Sequence, residues 1–387
     1  MIYKIYKIAL RECRILMINP VYLTYMIVFP VIVTFFFTTL MNEGQPQEMP
    51  VGVVDLDKTS TSRNLIRRLD GFQTSNVVAY YPNVNEARRA IQRNEIYAFL
   101  YIPNGTTSSL FASRQPKISL YYSNVSLTAG ALLFKDLKTV ALLGSAGVGQ
   151  ATMRARGFTD DQIKTFLQPI ALDLHMINNP WANYNMYLST MLIPGILMLF
   201  MFLITTYTLG TELKLKKSKN WFAMAGNNTI IALTGKLLPE FLVFLSIFYV
   251  YMYYLFGYLQ FPHPGGVWML MLLGLLAVLS SIGFGIFIFG IVPSLRMSMS
   301  VCSLWAMLGF TTCGATFPVF AMNPAIEGIA QLFPLRHYNM IFQTCVFNGF
   351  PFVDAWFNFM ALGIFACLPL FVLKAIKRAM LTYIYIP

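Results

Sequence analysis

Long apolar runs alternate along the chain with shorter charged connections, and each run has the length that a bilayer's hydrocarbon core requires. The runs cover residues 21–41, 186–209, 230–257, 267–292, 298–320 and 353–373, and they predict six membrane-spanning helices. Between the first and second runs the pattern changes. About 143 residues, 43–185, carry fourteen basic and eleven acidic side chains and show the periods of a folded soluble domain. Val51-Gly52-Val53-Val54-Asp55 reads as a strand, as do 77–81, 97–102 and 118–122. Ser60 or Ser62 caps a helix with Leu65, Ile66 and Leu69 on its apolar face, and Asn83 or Asn85 caps another through Ala87, Ala90 and Ile91. A long helical pattern follows from Ser126 to about Arg156, then a shorter one from Thr159 to Leu167. The predicted fold is a membrane all-α protein of six helices with an extracytoplasmic α/β domain, 42–185, inserted between helices 1 and 2.

The first twenty residues are amphipathic. Ile2, Ile5, Tyr6, Ala9, Leu10, Cys13, Leu16 and Met17 recur at helical spacing, with Lys4, Lys7, Arg11 and Arg14 on the other side, which predicts a helix lying on the inner leaflet. The basic residues reach Arg14 instead of preceding an apolar core, unlike a cleavable signal. Asn19-Pro20 supplies a cap and a first-turn proline for the span that follows. With both termini cytoplasmic, the short inner connections hold twelve basic residues, opposed only by Glu12 and Glu212. That bias fixes the predicted orientation and accounts for most of the net charge of +12, which therefore points to anionic lipid or a partner protein and not to nucleic acid. Trp181, Tyr184, Tyr258, Trp268 and Trp356 sit near span ends, as interfacial anchors do.

Residues 210–229 form the largest cytoplasmic connection and predict one polar helix of about twenty residues, a docking surface or a simple basic anchor. Inside the third span, Lys236 and Glu240 stand four apart, so they can pair on one helix face, and Pro239 lies between them. An intramembrane charge of this kind serves either function or a purely local pair. Residues 321–352 alternate breakers with apolar pieces too short to span, which predicts short helices dipping into the outer leaflet.

Candidate chemistry is sparse. Only eleven per cent of residues are charged and fifty-seven per cent are hydrophobic, against roughly a quarter charged in soluble proteins. None of the five cysteines falls between Met41 and Met186, so no disulfide framework is expected there. No histidine pairs with a cysteine and no carboxylates converge, so no enzyme, cofactor or metal site is expected. Asp55 and Asp57 share a face at a strand end, a pattern that serves either a cation or a turn. Gly144-Ser145-Ala146-Gly147-Val148-Gly149-Gln150 has the spacing of a phosphate loop, but Gln150 and Ala151 stand where lysine and a magnesium-binding hydroxyl belong. Its small residues predict close helix packing.

The whole arrangement resembles the type-2 ABC exporter permease family, in the bacterial members with a large insert after the first span. The matching pieces are Val51 to Asp57 with Ser60 and Ser62 behind it, Asn179-Pro180 with Tyr184 before Pro194-Gly195, and Gly210-Thr211-Glu212. They continue with Gly235-Lys236-Leu237-Leu238-Pro239, Phe317-Pro318, Met322-Asn323-Pro324 and Phe333 to Tyr338. The resemblance implies a permease in the bacterial inner membrane that dimerises with itself or a close relative, is driven by separate cytoplasmic ATP-binding subunits, and leaves room for a periplasmic adaptor. It implies that residues 1–20 are the connecting helix and that Glu212, Lys214, Lys216, Lys217 and Trp221 belong to the coupling helix that receives ATPase motion. It also implies that 321–352 is re-entrant. The run after Glu212 is more basic than the family's usual acid and base mixture. Cargo would pass between the second and fifth spans as the two halves rock, and thirty-three Phe and twenty-two Met suit an apolar or amphipathic substrate. The alternative reading is a membrane-anchored sensor whose outer domain binds a ligand.

Overall fold

The computed structural model describes all residues except 113, 171, 172, 174, 176–178, 180, 181, 316 and 383–387; Pro180 and Trp181, singled out above, lie outside the described residues. The chain forms two compact units, one from Met1–Asn42 with Ile177–Pro387 and one from Glu43–Met176.

Helix α1 is Ile2–Ile18 and buries Ile8 and Glu12. The face that covers Ile8 is not the whole apolar stripe, because Ile2, Tyr6, Leu10 and Met17 remain exposed at four- to seven-residue spacing and suit a lipid surface. Asn19 Oδ1 then accepts the Val21 amide at 3.0 Å, and the chain enters α2, Pro20–Leu40. Tyr22, Met26, Pro30, Thr34 and Thr38, spaced four apart, are its buried edge. The π-helical turn Thr24–Val28 precedes Pro30, whose missing amide hydrogen loosens the helical ladder there.

The second unit is a four-stranded sheet in the order β2-β1-β3-β4 with helices on both faces. Its elements are β1 Met49–Asp55, α3 Ser60–Asp70, β2 Ser75–Tyr80, α4 Val84–Gln92, β3 Ala98–Ile102, α5 Thr106–Phe111, β4 Ser119–Tyr122, α6 Leu127–Ala155 and α7 Asp160–Leu167. Strand β1 pairs in parallel with β2 and β3, and β4 runs antiparallel to β3. Val51 and Val53 point into a core with Leu65, Leu69, Leu133 and Leu137, while Val54 and Phe99 face Ala87 and Ala90 of α4. Burial of the strands on both faces explains why β1 reads as a continuous apolar run. Gly52 is required here, since a Cβ would stand 2.7 Å from Tyr81 and 2.8 Å from Ile96.

The first unit resumes with α8 Tyr184–Lys214, α9 Ser218–Met224, α10 Thr229–Tyr258, α11 Gly266–Ile291 and α12 Leu295–Thr312. Then come α13 Pro324–Ala330, α14 Pro334–Ile341 with a π-helical extension Phe342–Phe347, and α15 Phe352–Thr382. Helices α8 and α11 are the most buried and occupy the centre. Glycines let neighbours approach α11: a Cβ on Gly285 would be 3.0 Å from Thr205, and one on Gly290 would be 2.5 Å from Val372. Among the described residues five helices, α2, α8, α10, α11 and α15, are long and apolar enough to cross a membrane. The fifth predicted run, 298–320, is shorter than expected and ends at Thr312: α12 has 18 residues and carries Arg296 and several Ser and Thr. Its length is therefore about 27 Å, close to the thickness of a hydrocarbon core.

Candidate coupling site

Four ionisable side chains close a ring in the first unit. Arg11 and Glu12 come from α1, Glu212 from the last turn of α8, and Lys236 from the second turn of α10. The Arg11 guanidinium donates to Glu12 Oε1 at 3.0 Å and to Glu212 Oε1 at 2.7 Å. Lys236 Nζ donates to Glu12 Oε2 at 2.8 Å and to Glu212 Oε1 at 2.9 Å. Side-chain exposure is 2% for Lys236 and Glu12 and 5% for Glu212, and only Arg11, at 23%, touches solvent appreciably. Removing such ions from water costs several kcal/mol apiece, and only strict alternation of sign and good geometry offset it. The lysine has three donors. Two go to the carboxylates, and the ammonium also stands 5.2 Å from the ring centre of Trp221, whose indole is fully buried.

Two backbone features allow the ring to form. Gly235 precedes Lys236, and a Cβ there would sit 2.9 Å from Ile8 Cβ and 3.1 Å from the Ile5 carbonyl, so its missing side chain is what lets α1 lie against α10. At the other side, Lys216 takes a left-handed conformation with φ of 55°. Its amide reaches the Leu213 carbonyl at 3.1 Å while that of Lys217 reaches Glu212 O at 2.9 Å, closing the end of α8. The predicted single polar helix over 210–229 is thus corrected. The chain stops after Lys214, turns, and restarts as the seven-residue α9, which sends Trp221 and Phe222 inward.

Of the five coupling residues named from the sequence, Lys214, Lys216 and Lys217 are exposed, as is Lys219, whereas Glu212 and Trp221 are buried. The predicted Lys236 and Glu240 pair is also corrected: no ion pair joins them, because Glu12 and Glu212 offer the ammonium two carboxylates on the other side. Glu240 is 1% exposed and accepts a hydrogen bond from Thr205 of α8 at 2.7 Å. Glu240 Oε2, Glu212 Oε2 and Trp221 Nε1 are buried without a hydrogen-bond partner. Sequence reasoning missed Arg11, Glu12 and the Trp221 contact. The one available signal was the lone acid in a basic amphipathic helix.

The remaining candidates resolve into structure. Asp55 Oδ1 accepts the amides of Asp57 and Lys58, both at 3.0 Å, and its Oδ2 accepts Ser62 Oγ at 2.7 Å. Asp57 Oδ2 accepts the Thr107 amide at 3.2 Å and the Thr59 hydroxyl at 2.9 Å. These aspartates hold the turn between β1 and α3. Partial desolvation works upward on the Asp57 carboxyl, but hydrogen bonds from Thr107 and Thr59 outweigh it and hold the group below its ordinary range. The glycine run lies within α6: Leu65 of α3 fills the place of a Gly144 side chain and Leu167 of α7 that of Gly149, so these packing partners come from the same chain. No three His, Cys, Asp or Glu side chains gather as metal ligands among the described residues. In the 321–352 segment, Arg336 pairs with Glu327 at 3.6 Å and His337 lies 2.9 Å from both Asn358 Oδ1 and the Gln331 carbonyl, so these two side chains are held by neighbouring polar groups.

A family model described as ABC-2 family transporter protein matches residues 20–373, nearly the whole chain. The chain belongs to the ABC-2 transporter family. It is therefore a multi-pass membrane protein and the membrane subunit of an ABC transporter, a family whose permeases associate with ATP-binding subunits. No curated protein matches the chain. The family match begins at Pro20, so the half of the charge ring carried by α1 lies outside it, while Glu212 and Lys236 of this ABC-2 permease lie within.

Proposed function

We propose that this permease is the transmembrane half of an exporter in the bacterial inner membrane that moves an apolar or amphipathic substrate outward on ATP hydrolysed by separate subunits. The observation that carries the reading is the charge ring itself, placed where α1, the end of α8, α9 and α10 meet within an ABC-2 chain. In this reading α12 is the fifth of six spans, both termini are cytoplasmic, 43–176 is extracytoplasmic and 321–352 is re-entrant. A second permease chain completes the path, with an adaptor on the outer side as a further partner. The exposed lysines 214, 216, 217 and 219 receive the ATPase. The buried Glu212, Lys236 and Trp221 pass the movement to α1 and α10, a division of roles that their burial supports.

The test is co-purification from native membranes followed by an ATPase assay. Charge reversal of Lys214, Lys216 and Lys219 is expected to abolish recovery of the ATPase without changing the yield of permease. Glu212→Gln is expected to leave the ATPase bound while uncoupling its hydrolysis from transported substrate. Recovery of the folded chain with no nucleotide-hydrolysing partner would overturn the exporter reading.

A further inference from the structure

We propose that the soluble unit binds an amphiphile with one anionic head, of the long-chain carboxylate class, in a groove between α3, α5 and α6. The groove encloses about 600 Å³, within the range of small-ligand sites. Leu65, Leu110 and Ile118 give it apolar walls. Arg68 and Arg114 open onto it, neither forms an ion pair among the described residues, and no acidic side chain lines it. Leu143 stays 44% exposed beside them. Two guanidinium groups without counter-ions next to exposed aliphatic surface fit a ligand that brings both an anion and an apolar body. An inorganic anion would leave the apolar walls wet, and a neutral lipid would leave the exposed Arg68 and Arg114 to water alone.

The glycine run, which has no role in binding nucleotide, acquires one here. Gly144 is covered by Leu65, but a Cβ built on Gly147 meets nothing within 4 Å, so Gly147 lines open space in the groove. A side chain at 147 would therefore start from open space in the groove, and leucine favours a helix more than glycine does. That supplies a blocking variant whose first side-chain atom displaces nothing.

The inference goes beyond the exporter reading, since it concerns Glu43–Met176 alone. Label in the groove without an ATPase partner, or a partner without label, would fail one reading and spare the other. The experiment uses the full chain in zwitterionic lipid nanodiscs with a palmitate analogue bearing a terminal diazirine, irradiated and mapped by peptide mass spectrometry. Adducts are expected on peptides spanning 106–118 and 141–149. They should fall about tenfold or more in R68A/R114A, as loss of two charge-assisted contacts requires, and to a similar extent in Gly147→Leu and with the methyl ester of the probe. Adducts confined to the membrane helices, or groove labelling that persists in Gly147→Leu, would overturn the site. Undiminished labelling in R68A/R114A or by the ester would overturn the anionic class.

Discussion

Replacing Lys236 by Met removes one of two cations from a ring that holds two carboxylates. Glu12, 2% exposed in its side chain, then keeps only Arg11, which must also serve Glu212. Breaking a buried ion pair by deleting one partner costs about 3–5 kcal/mol, because the orphaned charge stays desolvated. The methionine fills the lysine's volume, so little of the loss is a cavity. Since α1 is a peripheral helix, the strain is expected to appear as its release from α10, not as global unfolding. At about 1.36 kcal/mol per decade, the open population of α1 should rise on the order of a hundred- to a few-thousand-fold. Hydrogen exchange of the amides in 2–18, measured by mass spectrometry on the chain in nanodiscs, reads that population directly. Adding Glu12→Gln restores neutrality and should recover more than half of the lost protection, a coupling that a double-mutant cycle isolates. Exchange of α1 within about tenfold of the parent in Lys236→Met, or no rescue in the double variant, would refute the ring as what holds α1.

Three further outcomes follow from the same geometry. Gly235→Ala inserts a methyl 2.9 Å from Ile8 Cβ and should weaken the α1 contact by about 1–3 kcal/mol, visible in the same exchange experiment while α11 stays protected. Thr205→Val removes the hydroxyl that donates to buried Glu240 and should cost about 1.5–3 kcal/mol of thermal stability in detergent, with Thr205→Ser close to the parent. The Asp57 carboxyl is held below its unfolded value, so its contribution is present above about pH 4 and is lost as the pH falls through its folded value. Cleavage by pepsin around 55–62 should therefore rise as the medium is acidified, and Thr107→Val should move that onset to higher pH.

Much of the secondary structure was legible because it depends on local period. The apolar runs and the strand at 51–55 are patterns over neighbouring residues, and the caps at Asn19 and Asn83 follow from side-chain reach of two or three positions. The site was less legible, since its bonds span 201 and 224 positions of sequence. Spacing of four made Lys236 and Glu240 a plausible pair, but helix geometry offers a contact without ranking it against tertiary partners. Glu12 outcompetes Glu240 only because Gly235 admits α1 closely enough. The break after Lys214 was hidden for a similar reason: a lysine in a left-handed conformation carries no sequence mark of the kind a glycine gives.

The ring divides evenly between its two supports. Arg11 and Glu12 leave together with α1, already bonded to each other at 3.0 Å, and Glu212 and Lys236 stay behind in the same condition at 2.9 Å. Each half is neutral by itself, so the amphipathic helix can peel from the bundle without creating a bare ion on either side. The clasp is consequently strong when shut yet electrically silent when opened, and it can be cycled many times in a membrane that would trap an arrangement with one charge on each helix.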